Sequence, residues 1–214
     1  MNVATGLKAP AGRGSIIVIS APSGSGKSTL VKRLMTAVSD VVFSVSYTTR
    51  PPRAGEKHGR EYFFESPQRF RRMIARGEFV EWAEVVGHLY GTSEKQIRAA
   101  QEAGKDVLLD IDVQGHRQIR RRLPEAVSIF VVPPSFKELE RRLKRRHSDS
   151  PEEIRKRLDA ARKEITHWPE YDYLVVNDRL PASTQALRAV LTAARLRRKN
   201  QEARARAICK SFGG

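Results

Sequence analysis

Ser20-Ala21-Pro22-Ser23-Gly24-Ser25-Gly26-Lys27-Ser28-Thr29 is the stretch on which the reading of this chain turns. The apolar run Ile16-Ile17-Val18-Ile19 before it predicts a short buried strand. Leu30, Val31, Leu34, Met35 and Val38 after it recur at the spacing of one helix face. A strand, a glycine-bearing loop, Gly-Lys-Ser and a helix are the context a phosphate-binding P-loop needs. Gly24 and Gly26 permit backbone shapes closed to other residues and a close approach to a polyphosphate. The N–H groups of the loop and the positive end of the helix then face the anion. Lys27 reaches the β- and γ-phosphates, and the Ser28 hydroxyl suits a Mg²⁺ ligand. Ala21 stands where the general motif has its first glycine, and its methyl group is tolerated if φ is negative there.

The rest of the chain bounds the setting of this loop. Its 214 residues, 40% hydrophobic and 30% charged, suffice for one sizeable α/β core with inserted subdomains. No run of about 18 apolar residues is present, so no membrane span is expected. Residues 1–14 read as a flexible lead-in without the apolar centre of a secretory signal. The single cysteine, Cys209, cannot form an internal disulfide, which suits a reducing cytoplasm. A formal net charge of +16 raises a rival class, the nucleic-acid binder. That charge is spread over residues 117–122, 141–146, 155–157 and 195–206. No aromatic RNA-binding sheet motif, zinc-finger spacing or heptad zipper accompanies it. The expectation is therefore no specific nucleic-acid partner, with weak non-specific binding at low salt. Nothing in the sequence marks an oligomeric state.

Beyond the first helix, Val41-Val42-Phe43-Ser44-Val45-Ser46 predicts a second strand. A Pro/Gly-bearing loop follows at residues 48–56, then a short strand at Tyr62-Phe63-Phe64 and a short helix over 67–76. Residues 79–86 read as a strand, Leu89-Tyr90-Gly91-Thr92 as a turn, and Ser93 as the cap of a helix to about Ala103. Strands and helices then alternate: a strand over 107–112, a helix over 114–123, and a strand over 127–132. Basic helices over 136–146 and 151–167, a strand over 173–176 and a helix over 183–198 follow, and the remainder frays. Alternation of this kind predicts a parallel sheet covered by helices on both faces. Residues 46–92 interrupt it and read as an inserted subdomain.

Several side chains in this plan carry chemistry. Asp110 and Asp112 sit two apart at the end of a strand, so both point one way, toward the crevice where ligands of open α/β sheets bind. Each carboxylate either holds Mg²⁺ opposite Lys27 and Ser28 or caps the following helix. Arg50 and Arg53 flank two prolines, and paired guanidiniums on a stiff loop suit a phosphate monoester. Tyr62 and Tyr90 either add hydroxyl donors or simply pack. Glu81, beside Trp82 on an apolar strand, needs a partner. An amide-like N–H/NH₂ edge such as that of guanine would supply one.

These residues resemble the guanylate kinase signature. The likeness rests on Ser46-Tyr47-Thr48-Thr49-Arg50-Pro51-Pro52-Arg53-Ala54-Gly55-Glu56 with Gly59-Arg60-Glu61-Tyr62-Phe63-Phe64. It extends to Glu81-Trp82-Ala83, Tyr90-Gly91-Thr92, Leu109-Asp110-Ile111-Asp112-Val113-Gln114-Gly115, Pro133-Pro134-Ser135 and Val175-Val176-Asn177-Asp178. It covers about residues 14–198. It implies an α/β P-loop NTPase-type fold with a core over 15–45 and 93–198. It also implies a GMP-binding subdomain inserted at 46–92, a helical lid over 136–157, and a basic tail over 199–214. It implies ATP, bound with Mg²⁺, and GMP as substrates. ATP would lie on Ala21, Pro22, Ser23, Gly24, Ser25, Gly26, Lys27, Ser28 and Thr29, with Asn177 near the adenine. Ser46, Glu81 and Thr92 would read guanine, and Arg50, Arg53, Tyr62 and Tyr90 would hold the GMP phosphate. Asp110 and Asp112 would serve guanine recognition and, with Ser28, metal placement. Lys27, Arg50, Arg146 and Arg157 would act on the transferring group. In the family the lid arginine is commonly flanked by glycines, whereas here Arg146 lies between Arg145 and His147. The resemblance admits a catalytically inactive scaffold module, but such modules typically lose the phosphate-binding residues that this chain keeps.

Overall fold

The computed structural model describes residues 13–85, 87–145 and 150–213. In chain order the elements are β1 (Ile16–Ser20), α1 (Lys27–Ala37), β2 (Val41–Phe43), β3 (Tyr47–Thr48), β4 (Phe63–Phe64) and α2 (Pro67–Ala75). β5 (Phe79–Val85), β6 (His88–Ser93), α3 (Glu94–Glu102), β7 (Asp106–Asp110), α4 (Val113–Arg122) and β8 (Val127–Val132) follow. The chain continues through α5 (Phe136–Lys144), α6 (Pro151–Glu164), a 3₁₀ turn (Ile165–Glu170), β9 (Tyr173–Val176), α7 (Leu180–Leu196) and α8 (Arg198–Ser211).

The core is a five-stranded sheet in the order β2-β7-β1-β8-β9, with every neighbouring pair parallel. Its two faces follow from strand alternation. Ile17 and Ile19 of β1 pack with Leu30 and Leu34 of α1 and with Leu187 and Leu191 of α7. Ile16 and Val18 point the other way, onto Ile97 of α3 and Ile119 of α4. A central strand buried on both faces must be apolar at every position, and Ile16-Ile17-Val18-Ile19 is.

A second sheet, in the order β4-β3-β6-β5, rises from the carboxyl edge of the first. β3 pairs parallel with β4 and antiparallel with β6, and β5 pairs antiparallel with β6. Two expectations change here. The run 41–46 is not one strand: the Ser44 N–H makes the last bond to Leu108, and the chain then crosses to the second sheet. There the Tyr47 ring stacks on Phe63 at 4.7 Å and meets Phe79 edge-on. Residues 89–92 are not a turn but the interior of β6. Gly91 serves close approach rather than bending, because a Cβ there would lie 3.0 Å from the rings of both Phe70 and Phe79.

α5 and α6 pack against each other through Leu139, Leu143 and Ala161. α6 starts on a reciprocal cap in which Ser150 and Glu153 satisfy each other's backbone N–H groups. The residues after 198 do not fray: they form α8, in which no residue is buried. The basic run of α7 contains one cation with a structural task. Arg195 is 3% exposed and its Nε donates to Asp106 at 2.6 Å, while Asp106 also accepts the Ser15 N–H at 2.7 Å. Removing one partner of a buried pair strands the other charge. Arg195→Ala is therefore expected to destabilise the fold by about 3–5 kcal/mol, read as a lower urea midpoint with an unchanged slope.

Candidate active site

The phosphate loop is positioned by β1 below and braced from three sides. Gly24 and Gly26 have φ of +90° and +88°, shapes that other residues rarely take. Among the described residues Asp40 alone of the non-glycines has positive φ, so the methyl group of Ala21 is unstrained. A Cβ on Gly24 would lie 2.9 Å from the side chains of Leu139 and Leu143, which roof the loop. A Cβ on Gly26 would lie 2.5 Å from Nδ2 of Asn177. That amide donates to the Ser25 carbonyl at 2.8 Å, so Asn177 shapes the loop itself. Arg142 completes the brace: Nη2 donates to the Asn177 carbonyl at 2.9 Å and Nε to Glu138 at 2.7 Å. A cavity of about 440 Å³ opens here, lined by Gly24, Gly26, Thr29, Arg142, Arg145 and Asn177.

Two carboxylates engage the loop's donors. Lys27 forms an ion pair with Asp110, which lies beside Ile19 in the sheet register. The Ser23 N–H donates to Glu164 at 3.3 Å, and burial raises the pKa of that carboxyl above its ordinary value.

Asp110 also belongs to a second pocket, of about 230 Å³, between the two sheets. Ser46, Tyr62, Glu81, Tyr90 and Asp112 line it too. Six residues expected in the acceptor site therefore meet in one place, from five separate stretches of chain. Of the two roles its position allowed, the structure shows Asp112 in the capping one: its Oδ1 accepts the Gly115 N–H at 2.8 Å, and the residue also lines the pocket. Thr92, 1% exposed, donates its hydroxyl to Oε1 of Glu81.

Glu81 itself is 5% exposed. Burial pushes its pKa up to about 7, against the Thr92 hydrogen bond and with the help of nearby Asp112. Its depth depends on Gly115 of α4, where a Cβ would come within 2.7 Å of Oε2. At the pocket's rim the Arg50 guanidinium lies 5.3 Å from the centre of the Tyr62 ring. Glu56 grips it with both oxygens, at 2.9 and 3.0 Å, and also accepts the Arg53 N–H at 2.7 Å. The Glu56 bond holds the pKa of Arg50 above its ordinary value, and burial raises that of Tyr62. The Tyr62 and Tyr90 rings meet edge-on at 5.9 Å.

Arg53 is exposed beside this cluster. Arg157 sits half-buried on α6 and lines neither pocket. Arg146 lies outside the described residues. Glu56, Gly115, Arg142 and Glu164 are site residues that sequence reasoning did not single out. Glu56 and Gly115 fall inside the quoted stretches 46–56 and 109–115, but only the grip on Arg50 and the close approach to Glu81 show their tasks.

A hydroxyl at the start of α1, Ser28, and the carboxylates of Asp110 and Asp112 are hard oxygen donors of the kind Mg²⁺ prefers. Among the described residues no cluster of three or more His, Cys, Asp or Glu forms an all-protein metal cage. That donor set suits an ion carried mainly by substrate phosphates.

Comparison with known proteins agrees with this geometry. A family model described as guanylate kinase matches residues 13–194. The chain is 51% identical over 195 residues to a guanylate kinase of Dechloromonas aromatica (strain RCB), covering 91% of this chain and 96% of that one. It is 51% identical over 190 residues to a guanylate kinase of Gluconobacter oxydans (strain 621H), covering 88% and 91%. The crystal structure of guanylate kinase from Anaplasma phagocytophilum superposes with a TM-score of 0.70 at 35% identity, covering 88% of this chain and 90% of that one. With its P-loop, its parallel core sheet and a match over nearly its whole length, the chain belongs to the guanylate kinase family.

Proposed function

We propose that this protein transfers the γ-phosphoryl group of ATP to GMP, giving ADP and GDP, within purine nucleotide metabolism. The observation that carries the proposal is the Lys27–Asp110 ion pair: Asp110 also lines the pocket of Glu81, so the P-loop cation abuts the acceptor pocket. ATP then lies over residues 21–29 with its base toward the cavity beside Asn177. GMP fills the pocket of the 46–92 subdomain. Its guanine meets Ser46, Glu81 and Thr92, and its phosphate meets Arg50, Arg53, Tyr62 and Tyr90.

A phosphate oxygen of GMP attacks the γ-phosphorus in line. The acceptor is already anionic, so no protein nucleophile or strong general base is needed. The chain's work is positioning and charge neutralisation. Lys27 and Arg50 flank the transferring group, and Arg157 and Arg146 are the arginines of the 136–157 stretch that the family likeness assigns to it. Ser28 and Asp112 would hold Mg²⁺, which supplies charge neutralisation at the phosphate oxygens when bound. Closing the lid excludes water that would otherwise hydrolyse ATP.

The pocket reads base and phosphate, so dGMP is a substrate as well. The single cysteine suits a cytoplasmic setting, and among the described residues no helix is long and apolar enough to cross a membrane. The net charge of +16 supports only weak, salt-sensitive binding to nucleic acid. A coupled ADP-release assay with GMP, dGMP, AMP, CMP and UMP tests the proposal. Turnover with GMP and dGMP is expected, and no ADP release above the rate without acceptor would overturn it.

The phosphate grip has its own test. Arg50→Lys keeps a charge but loses the planar fork that Glu56 now holds. The affinity for GMP is expected to fall about tenfold, in the range for one charge-assisted hydrogen bond, with ATP affinity unchanged. Titration calorimetry with each nucleotide alone separates the two. Equal losses for both would make Arg50 a structural residue.

A further inference from the structure

β5 is an edge strand of the second sheet, with β6 on one side only. An edge strand leaves a row of unpaired N–H and C=O groups on its other side. Here α4 of the core covers that side. Gln118 donates Nε2 to the Trp82 carbonyl at 2.6 Å and accepts the Trp82 N–H on Oε1 at 3.2 Å. One side-chain amide thus closes the reciprocal pair of bonds that a neighbouring strand residue would close. One turn further along, Arg122 donates Nη1 to the Phe79 carbonyl. Residues four apart share a helix face, so both bonds come from one stripe of α4. Gly115, which makes room for the Glu81 carboxylate, lies on the same stripe.

The two anchor points bracket Glu81, and the strand is irregular between them. The register of β5 against β6 shifts between Phe79 and Glu81. Phe79 joins the aromatic cluster of the second sheet, whereas its neighbour Val80 joins the core cluster with Ile16 and Val18. A bulge re-aims a side chain but weakens the ladder around it. A one-residue slip there would turn Glu81 to the opposite face.

We propose that Gln118 and Arg122 are positioning residues for Glu81. They pin both ends of the bulge to the core, hold the carboxylate at one depth and angle in the pocket, and thereby set base selectivity. The proposal rests on Glu81 reading the base. Two-point pairing with a purine edge is sensitive to displacements of about 1 Å, so loosening the strand acts first on acceptor recognition.

The test compares Gln118→Leu, Arg122→Met, Arg122→Lys and the Gln118→Leu/Arg122→Met double variant with wild type and Glu81→Gln. Readouts are kcat, KM for GMP and ATP, the kcat/KM ratio of GMP to AMP, and Tm. The double variant is expected to raise KM for GMP about tenfold, the scale of one to two lost hydrogen bonds. It is also expected to lower the GMP:AMP ratio, while kcat and KM for ATP stay within about twofold. Arg122→Lys should recover part of what Arg122→Met loses. Should Gln118→Leu not fold, Gln118→Asn, which keeps the amide but not its reach, is read the same way. The proposal is overturned if KM for GMP and the ratio stay at wild-type values. It is equally overturned if kcat and both KM values shift together with a fall in Tm, which marks general destabilisation. A ratio that collapses in Glu81→Gln but not in the clamp variants sinks the clamp alone. A ratio unmoved in Glu81→Gln sinks the base-reading assignment beneath it.

Discussion

Lys27→Ala is expected to lower kcat for GMP phosphorylation by about 10²–10³-fold, the usual loss when one group that meets developing charge is removed. Lys27 opens α1, where the helix N-terminus and the loop amides already favour an anion. Its ammonium adds a full charge at the point between the two pockets. The variant should fold normally. The partner it leaves, Asp110, is 21% exposed at its side chain and remains within reach of water. Rate and fold are separated by single-turnover measurements beside circular dichroism. A variant with intact dichroism and near-normal turnover would contradict the P-loop assignment.

The second large effect belongs to Glu81. An ionised carboxylate only accepts hydrogen bonds, so it pairs with the N1–H and 2-amino group of guanine. Adenine offers a lone pair at N1 and no 2-amino group. Sites built around such pairing can discriminate by about 10⁴-fold, because the wrong partner leaves buried groups unpaired. Glu81→Gln replaces one acceptor with a donor. It is expected to cut kcat/KM for GMP by about 10²-fold, the scale of a lost hydrogen bond to a charged group. The GMP:AMP preference should shrink with it, with little change in ATP binding.

The same burial makes this recognition depend on pH. The carboxyl of Glu81 titrates near 7 in the folded protein, above the ordinary value of 4.5, because burial disfavours the charged form. In that window the folded chain holds a proton that the unfolded chain has lost. Stability of the free protein therefore falls as pH rises from about 4.5 to about 7, and levels off above. Guanine favours the ionised form, so GMP binding tightens over the upper part of that window. KM for GMP is expected to drop between pH 6 and about 7.5 and then flatten. GMP's own phosphate titrates near 6, so Glu81→Gln is the control. The part of the pH dependence that this variant loses belongs to the carboxylate, and identical profiles would remove Glu81 from the base site.

How much of this was open to the sequence depends on the range of the interaction. The P-loop is local: ten consecutive residues carry its glycines, its lysine and its hydroxyls, with a strand and a helix read from periodicity on either side. The parallel sheet with two covered faces follows from apolar runs such as Ile16-Ile17-Val18-Ile19, which cannot be half exposed. Gly91 was misread because a glycine between polar residues looks like a turn from its neighbours. Only the rings of Phe70 and Phe79, 21 and 12 residues earlier in the chain, require that it lack a side chain.

The candidate acceptor site shows the same division. The residue types at Arg50, Tyr62, Glu81 and Tyr90 pointed to a phosphate and a purine edge, since charge and hydrogen-bonding character belong to the side chain wherever it lies. Glu56 bonded to Arg50, Gly115 opening space for Glu81, Gln118 and Arg122 holding an edge strand, and Arg142 bracing the loop carry no such mark. Each is an ordinary polar or small residue whose task exists only when another part of the chain is brought against it. The sequence by itself determined the chemistry available to this protein, because that is a property of residue types in short order. The tertiary structure alone decided which carboxylate is buried, how far its pKa moves and what holds it in place. Those depend on distances between segments that no local pattern encodes.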